Sequence, residues 1–190
     1  MFARRQQLAY HGLGDITVIV FFGAVATAGL KVTVGGGRVP IAVGDSMETY
    51  RYYDADTVVA GTQIGLLCCM LLAINNIRDF YSDREHNKRT LIVRFGLSFG
   101  RWEVVSLVVA TYALGLSYWY IICDRLLIFA LPFACSAPIA LGVIRDVIAN
   151  TAASVEAEKK KDVFGAILAK SALLHLVFSA ALAAAIFMSC

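Results

Sequence analysis

Charged side chains are scarce in this chain: Asp, Glu, Lys and Arg make up 16% of its 190 residues, against 59% hydrophobic. A soluble domain is about a quarter charged and about half apolar, so the deficit points toward a membrane. No Cys-x-x-Cys pair occurs, and no histidine stands at ligand spacing from Cys68, Cys69, Cys123, Cys135 or Cys190. That pattern argues against a disulfide framework or a zinc site, and casts the cysteines as small hydrophobes within apolar segments. A cleavable signal is not evident, because residues 1–15 are polar and no Ala-x-Ala-like site follows. The net charge of +3 is small and scattered, which speaks against nucleic acid as a partner.

What the chain does have is apolar runs approaching the ~20 residues that cross a bilayer as a helix. Five are expected, at residues 16–30, 57–74, 104–123, 126–144 and 166–188. They predict an all-α, polytopic membrane helix bundle formed by one domain over residues 1–190. Asp15 is placed to cap the first helix. Gly35, Gly36, Gly37 and Pro40 open a loop that reaches Asp56, with Tyr50, Tyr52 and Tyr53 set like an interfacial aromatic belt. Asp124 and Arg125 make a short connection, so the fourth run should return beside the third. Pro132 and Pro138 lie inside that fourth run, where a membrane bundle tolerates proline. The fifth run is rich in Ala and suited to close packing.

Five spans make the connections alternate sides. Residues 1–15, 77–103 and 145–170 then fall together and hold thirteen Lys or Arg, against four opposite. This positive-inside bias predicts that they face the cytoplasm or a matrix-like compartment. Lys159, Lys160 and Lys161 would meet anionic lipid headgroups. His175 is expected to make a helix–helix hydrogen bond, and His11 and His86 to lie at the interface. Trp119 with Tyr112, Tyr118 and Tyr120 is expected to form an aromatic belt at the far interface, although such a cluster could also line an acceptor pocket.

One segment breaks the apolar pattern. Residues 75–90 carry three carboxylates, four Lys or Arg and three asparagines within sixteen positions. If the preceding helix continues, Asp79 and Asp83 share a face about 6 Å apart along the axis, with Asn75 one turn earlier. Two carboxylates and an amide are hard oxygen ligands, suited to Mg²⁺ that completes its octahedron with waters and phosphate oxygens. Arg78, Lys88 and Arg89 supply positive charge for a departing phosphate group. The same spacing also describes a solvated helix face with weak ion pairs.

The run Asn75-Asn76-Ile77-Arg78-Asp79-x-x-x-Asp83-Arg84-Glu85-x-x-Lys88-Arg89-Thr90-Leu91-x-Val93-Arg94-x-Gly96 resembles the second aspartate-rich motif of UbiA-type membrane prenyltransferases. Within that superfamily it is most similar to the 1,4-dihydroxy-2-naphthoate polyprenyltransferases of menaquinone and phylloquinone synthesis. Tyr10-His11-Gly12-Leu13-Gly14-Asp15, followed by Val20-Phe21-Phe22-Gly23, resembles the entry to the fifth helix in that subgroup. The resemblance implies a nine-helix bundle of which these runs are helices five to nine. It implies Mg²⁺-dependent transfer of a polyprenyl group from its diphosphate to an aromatic quinone precursor, with loss of carbon dioxide from the acceptor. Asp79 and Asp83 would hold Mg²⁺, Arg78, Lys88 and Arg89 would steady the diphosphate, and Asn75 and Asn76 would be accessory ligands. An apolar tunnel between helices would hold the prenyl tail.

The family carries two aspartate-rich motifs and this chain carries one. Helices one to four are expected from elsewhere: a separate chain, or the rest of a truncated gene product. The alternative is a catalytically inactive, prenyltransferase-derived structural subunit of a larger membrane complex.

Overall fold

A computed structural model of the chain describes residues 14–27, 55–152 and 157–189. Among these residues the secondary structure is helical, with no strand. In chain order, α1 is Gly14–Val18 running on as a π-helical segment Ile19–Val25, and α2 is Ala55–Arg78. Two short helices follow, α3 (Phe80–Glu85) and α4 (Leu91–Phe95). Next come α5 (Leu97–Gly115, continued by the π-helical Leu116–Ile122), α6 (Leu126–Ala152) and α7 (Ala157–Ser189). The aromatic loop expected before Asp56, with Tyr50, Tyr52 and Tyr53, lies outside the described residues, as do His11 and Cys190.

Among the described residues four helices are long and apolar enough to cross a membrane: Ala55–Arg78, Leu97–Ile122, Leu126–Thr151 and Lys161–Met188. The 24 residues of α2 alone extend about 36 Å, more than a ~30 Å hydrocarbon core. The first of the five expected runs gives a shorter apolar helix, Gly14–Gly23, among the described residues. The chain is an all-α polytopic helix bundle. Its outer surface is apolar as well, with Phe187, Ile122, Leu141 and Leu176 exposed, which fits an integral membrane protein.

The centre of the bundle is α2, against which α1, α5 and α7 all pack, while α6 packs on α7 and α5. Leu67, Met70, Ala73, Ile74 and Ile77 of α2 are fully buried, and Val104, Val108, Phe164 and Leu174 close over them. In lipid the tails are as apolar as the core, so association depends on close packing and interhelical hydrogen bonds. At the α1–α2 contact Gly23 faces Gly61 and Gly65. A Cβ on Gly61 would come 2.7 Å from the Gly23 carbonyl oxygen, and one on Gly65 would come 2.8 Å from that of Ile19. Gly61→Ala is therefore expected to lower the thermal unfolding midpoint in detergent, by an amount equivalent to about 1–3 kcal/mol. Gly165→Ala, where a Cβ meets nothing within 4 Å, should not lower it and should raise it slightly through helix propensity.

Several boundaries differ from those expected. The polar connection expected between the fourth and fifth runs is mostly helix, because α6 runs to Ala152 and α7 starts at Ala157. Its charges are accommodated inside the helices: Lys170 Nζ donates to Asp146 Oδ2 at 2.8 Å across α6–α7, lying over Gly142 where a Cβ would collide with it. On the N-terminal side of the third run, α5 begins at Leu97, released from α4 by Gly96 at φ +88°. Asp15 sits in the first turn of α1 rather than ahead of it, buried with an oxygen 3.9 Å from Cys69 Sγ. The helix α6 continues through Pro132 and Pro138, as expected.

The aromatic belt expected around Trp119 is not what forms. Trp119 is 1% exposed, and its indole N–H donates to Gln63 Oε1 at 2.9 Å. Tyr112 is drawn inward, its hydroxyl 2.6 Å from Ser136 Oγ, and Tyr118 donates to Asp56 at 2.7 Å. Tyr120 alone of the four is exposed. Polar atoms on α2 and α6 capture these rings, which the α5 sequence by itself does not reveal. His175 does bridge helices, with Nε2 3.3 Å from Cys68 Sγ on α2. Of the described cysteines all are free, Cys69 being buried, Cys68 and Cys123 partly so, and Cys135 exposed.

Candidate functional site

The apolar surface of α2 ends in Asn75 and Asn76. Asn76 is buried, Asn75 half-buried, and Ile77 between them and the charges is fully buried. Regular helix dihedrals lapse at Asp79 (φ −93°, ψ 7°), yet the hydrogen-bond register carries on. The Asp79 amide donates to the Asn75 carbonyl (3.0 Å) and the Asp83 amide to the Asp79 carbonyl (2.8 Å). Asn75, Asp79 and Asp83 thus keep the four-residue spacing expected of them.

The end of α3 brings Lys88 back onto this face. Asn87 takes the left-handed conformation (φ +54°), its amide donates to the Arg84 carbonyl, and the Lys88 amide donates to that of Asp83 at 2.9 Å. This is a Schellman closure with asparagine at the left-handed position, a residue type that tolerates it. The turn folds the Lys88 side chain over α3, where Nζ donates to Asp83 Oδ1 at 3.2 Å and Oδ2 at 3.0 Å. Thr90 then caps α4, its Oγ1 accepting from the Val93 amide at 3.3 Å. Asn87→Gly should leave this geometry intact. Asn87→Val should destabilise the turn by about 1–2 kcal/mol and release Lys88 from Asp83, visible as lost order of the Lys88 side chain in NMR.

Both carboxylates are held by cations of the same segment. Arg78 donates from Nε and Nη2 to the two Asp79 oxygens, 2.9 Å each, a bidentate pair. Those bonds hold the Asp79 carboxyl below the usual carboxylate range; partial burial opposes them, and the charges of Arg78, Lys88 and Lys161 add to them. Asp79 is therefore ionised at neutral pH. Asp83 is buried at 8% exposure, Arg89 is exposed, and exposed His86 places Nδ1 2.8 Å from the Ser82 carbonyl. Lys161, at the start of the last span, was not among the residues expected to act on Asp79; it is 82 positions away in sequence. A separate polar cluster joins Arg125 to Asp56 (2.7 Å) at the N-terminal end of α2, the opposite end from Asp79.

Among the described residues no three or more His, Cys, Asp or Glu side chains gather into a metal-binding group. Two hard carboxylates beside an amide do suit Mg²⁺, which is commonly held by one or two carboxylates with the remaining positions left to waters and phosphates. Away from this rim, a cleft of about 330 Å³ lies between α5 and α6, lined by Val108, Tyr112, Leu116, Phe129, Phe133 and Leu141 among others. Leu116, Phe133 and Leu141 are exposed, so the cleft opens onto the apolar outer surface.

Comparison with known proteins bears on the sequence resemblance. The chain is 38% identical over 87 residues to the 1,4-dihydroxy-2-naphthoate octaprenyltransferase of Escherichia coli, covering 46% of this chain and 23% of that protein. It is 35% identical over 92 residues to the Haemophilus influenzae protein of the same name, covering 48% and 25%. To the Mycobacterium leprae protein of that name it is 33% identical over 102 residues, covering 54% and 30%. The matches thus span less than a third of the length of these curated relatives. No family model matches. No solved structure matches. Over about half its length, then, this chain is similar to enzymes named 1,4-dihydroxy-2-naphthoate octaprenyltransferase, the subgroup that residues 75–96 resemble.

Proposed function

We propose that this chain is the second half of a membrane prenyltransferase, one domain carrying the second aspartate-rich motif of a nine-helix fold. It takes part in transferring a polyprenyl group from its diphosphate to a 1,4-dihydroxy-2-naphthoate-like acceptor in quinone synthesis. The observation that carries this is the pairing of Asp79 with Arg78 and of Asp83 with Lys88 at one membrane rim. Carboxylates for a cation and cations for a phosphate are assembled there within residues 78–88. Mg²⁺ held by Asp79 and Asp83, with Asn75 and Asn76 as accessory ligands, would neutralise charge on the diphosphate. Arg78, Lys88 and Arg89 would donate to phosphate oxygens as the bond to the prenyl carbon breaks and diphosphate leaves. The electron-rich ring then forms the new carbon–carbon bond, and the acceptor's carboxylate departs as carbon dioxide, its bonding electron pair restoring the aromatic ring. The α5–α6 cleft offers apolar room for part of the prenyl tail, continuous with the apolar outer surface from which such a tail would enter. The excess of Lys and Arg on connections at this end supports a cytoplasmic or matrix-like orientation of the site.

The test is turnover in membranes containing the chain, supplied with labelled prenyl diphosphate and 1,4-dihydroxy-2-naphthoate, with and without a second polypeptide bearing the first aspartate-rich motif. Prenylated product should form with both halves present and vanish when EDTA removes Mg²⁺. Absence of product with both halves present and inserted would refute the proposal and favour a structural role.

A further inference from the structure

We propose that Arg101 and Trp102, where α5 enters the membrane at the end of the bundle that carries Asp79, bind the headgroup of an anionic phospholipid. One face of α5 looks out of the bundle: Phe99, Trp102, Val109 and Leu116 follow helical spacing, and all four side chains are exposed. Val109 and Leu116 lie in the middle of a span and so meet acyl chains. Phe99 and Trp102, in the first two turns of the same face, then fall at the level of the headgroups, where aromatic rings favour the interface. Phe95, at the end of α4, packs against Phe99 with ring centroids 5.1 Å apart and is itself exposed. The aromatic patch therefore continues around the turn at Gly96.

The cation on this patch is left without a counter-ion. Arg101 Cζ lies 5.5 Å from the centre of the Trp102 ring, and Nε is buried with no hydrogen-bond partner among the described residues. Arg78, Lys88, Arg125 and Lys170 each pair with an aspartate, whereas no carboxylate among the described residues pairs with Arg101. A guanidinium partly withdrawn from water without an anion is costly, and a phosphodiester accepting from its fork offsets that cost. Arg94, exposed in the last turn of α4 one residue before Phe95, adds a second positive charge beside the patch. A lipid meets every feature at once, with its phosphate against Arg101, its glycerol level with Trp102 and its acyl chains along Val109 and Leu116. A free phosphate would use only the first.

The two tryptophans of the chain differ in exposure, Trp102 being 59% exposed and Trp119 1%. Tryptophan emission of the full chain in phosphatidylcholine vesicles therefore reports contact at Trp102 when some lipids are replaced by copies brominated in the acyl chains. Brominated phosphatidylglycerol should reach half-maximal quenching at about one fifth of the mole fraction that brominated phosphatidylcholine needs, the worth of one basic side chain at an anionic lipid. Arg101→Gln should bring the two lipids level, and Arg101→Lys, which keeps the charge, should retain most of the preference. Arg145→Gln, which removes an exposed cation at the same end of the bundle on α6, should leave the preference unchanged. Equal quenching by both lipids in the wild type overturns the proposal. A preference that survives Arg101→Gln, or that Arg145→Gln abolishes, overturns it too, since rim charge in general would then suffice. Loss of the preference in Arg101→Lys marks the residue as structural and has the same force. Loss on adding millimolar inorganic phosphate assigns Arg101 to a free anion and overturns the lipid reading.

Discussion

Asp79→Ala and Asp83→Ala are each expected to reduce prenylated product by about a hundredfold or more, measured as transfer of labelled prenyl diphosphate in membranes holding both halves of the fold. The size follows from losing one of the two carboxylates this chain contributes to the cation that neutralises the leaving diphosphate, comparable to removing one preorganised group at a site of developing charge. The two variants should differ in their secondary effects. Asp79→Ala frees the Arg78 guanidinium, which is about a third exposed and can be solvated. Asp83→Ala strips the partner from Lys88 at a more buried position, with only 11% of the Asp83 side chain exposed. Neither loss should cost more than about 1 kcal/mol of stability, because each cation reaches water. Unaltered turnover in both variants would show that these carboxylates do no chemistry. A collapse in thermal stability in either would mark them as structural instead.

The second large effect concerns stability. Gln63 sits in α2 at 2% exposure and uses both ends of its amide, Nε2 donating to the Thr111 carbonyl (3.0 Å) and Oε1 accepting from Trp119 (2.9 Å). Gly115 makes the space, since a Cβ there would stand 2.7 Å from Gln63 Nε2. Gln63→Leu should lower the stability of the folded bundle by about 1–3 kcal/mol, read from unfolding in mixed micelles, because a buried indole N–H loses the acceptor it uses in an apolar setting. Adding Trp119→Phe removes that donor and should recover part of the loss. A double variant as unstable as the sum of the singles would show that the bond between the two side chains contributes nothing.

The polar run was legible because its chemistry is local. Asp79 and Asp83 stand four apart, and a helix ladder from Asn75 through Asp83 keeps them in register. Asn87, two carboxylates and a lysine within a few residues suffice to write the turn that pairs Lys88 with Asp83. The Gly61-x-x-x-Gly65 spacing is a known signature of close helix contact, and α1 packs there. The reading of Trp119 as an interfacial ring failed for a non-local reason. Aromatic residues near a span end look the same in sequence whether they face headgroups or a buried amide 56 positions away.

The sequence by itself determined which stretches are apolar enough to become spans, where the polar run interrupts them, and which of its side chains share a helix face. Those properties depend on composition and on the 3.6-residue period, both written along one strand of chain. Only the tertiary structure decided that Gln63 holds Trp119, that Asp146 meets Lys170, and that His175 reaches Cys68. Each of these depends on how one helix is rotated against another, and in lipid that rotation is set by small residues and a few polar partners far apart in the chain.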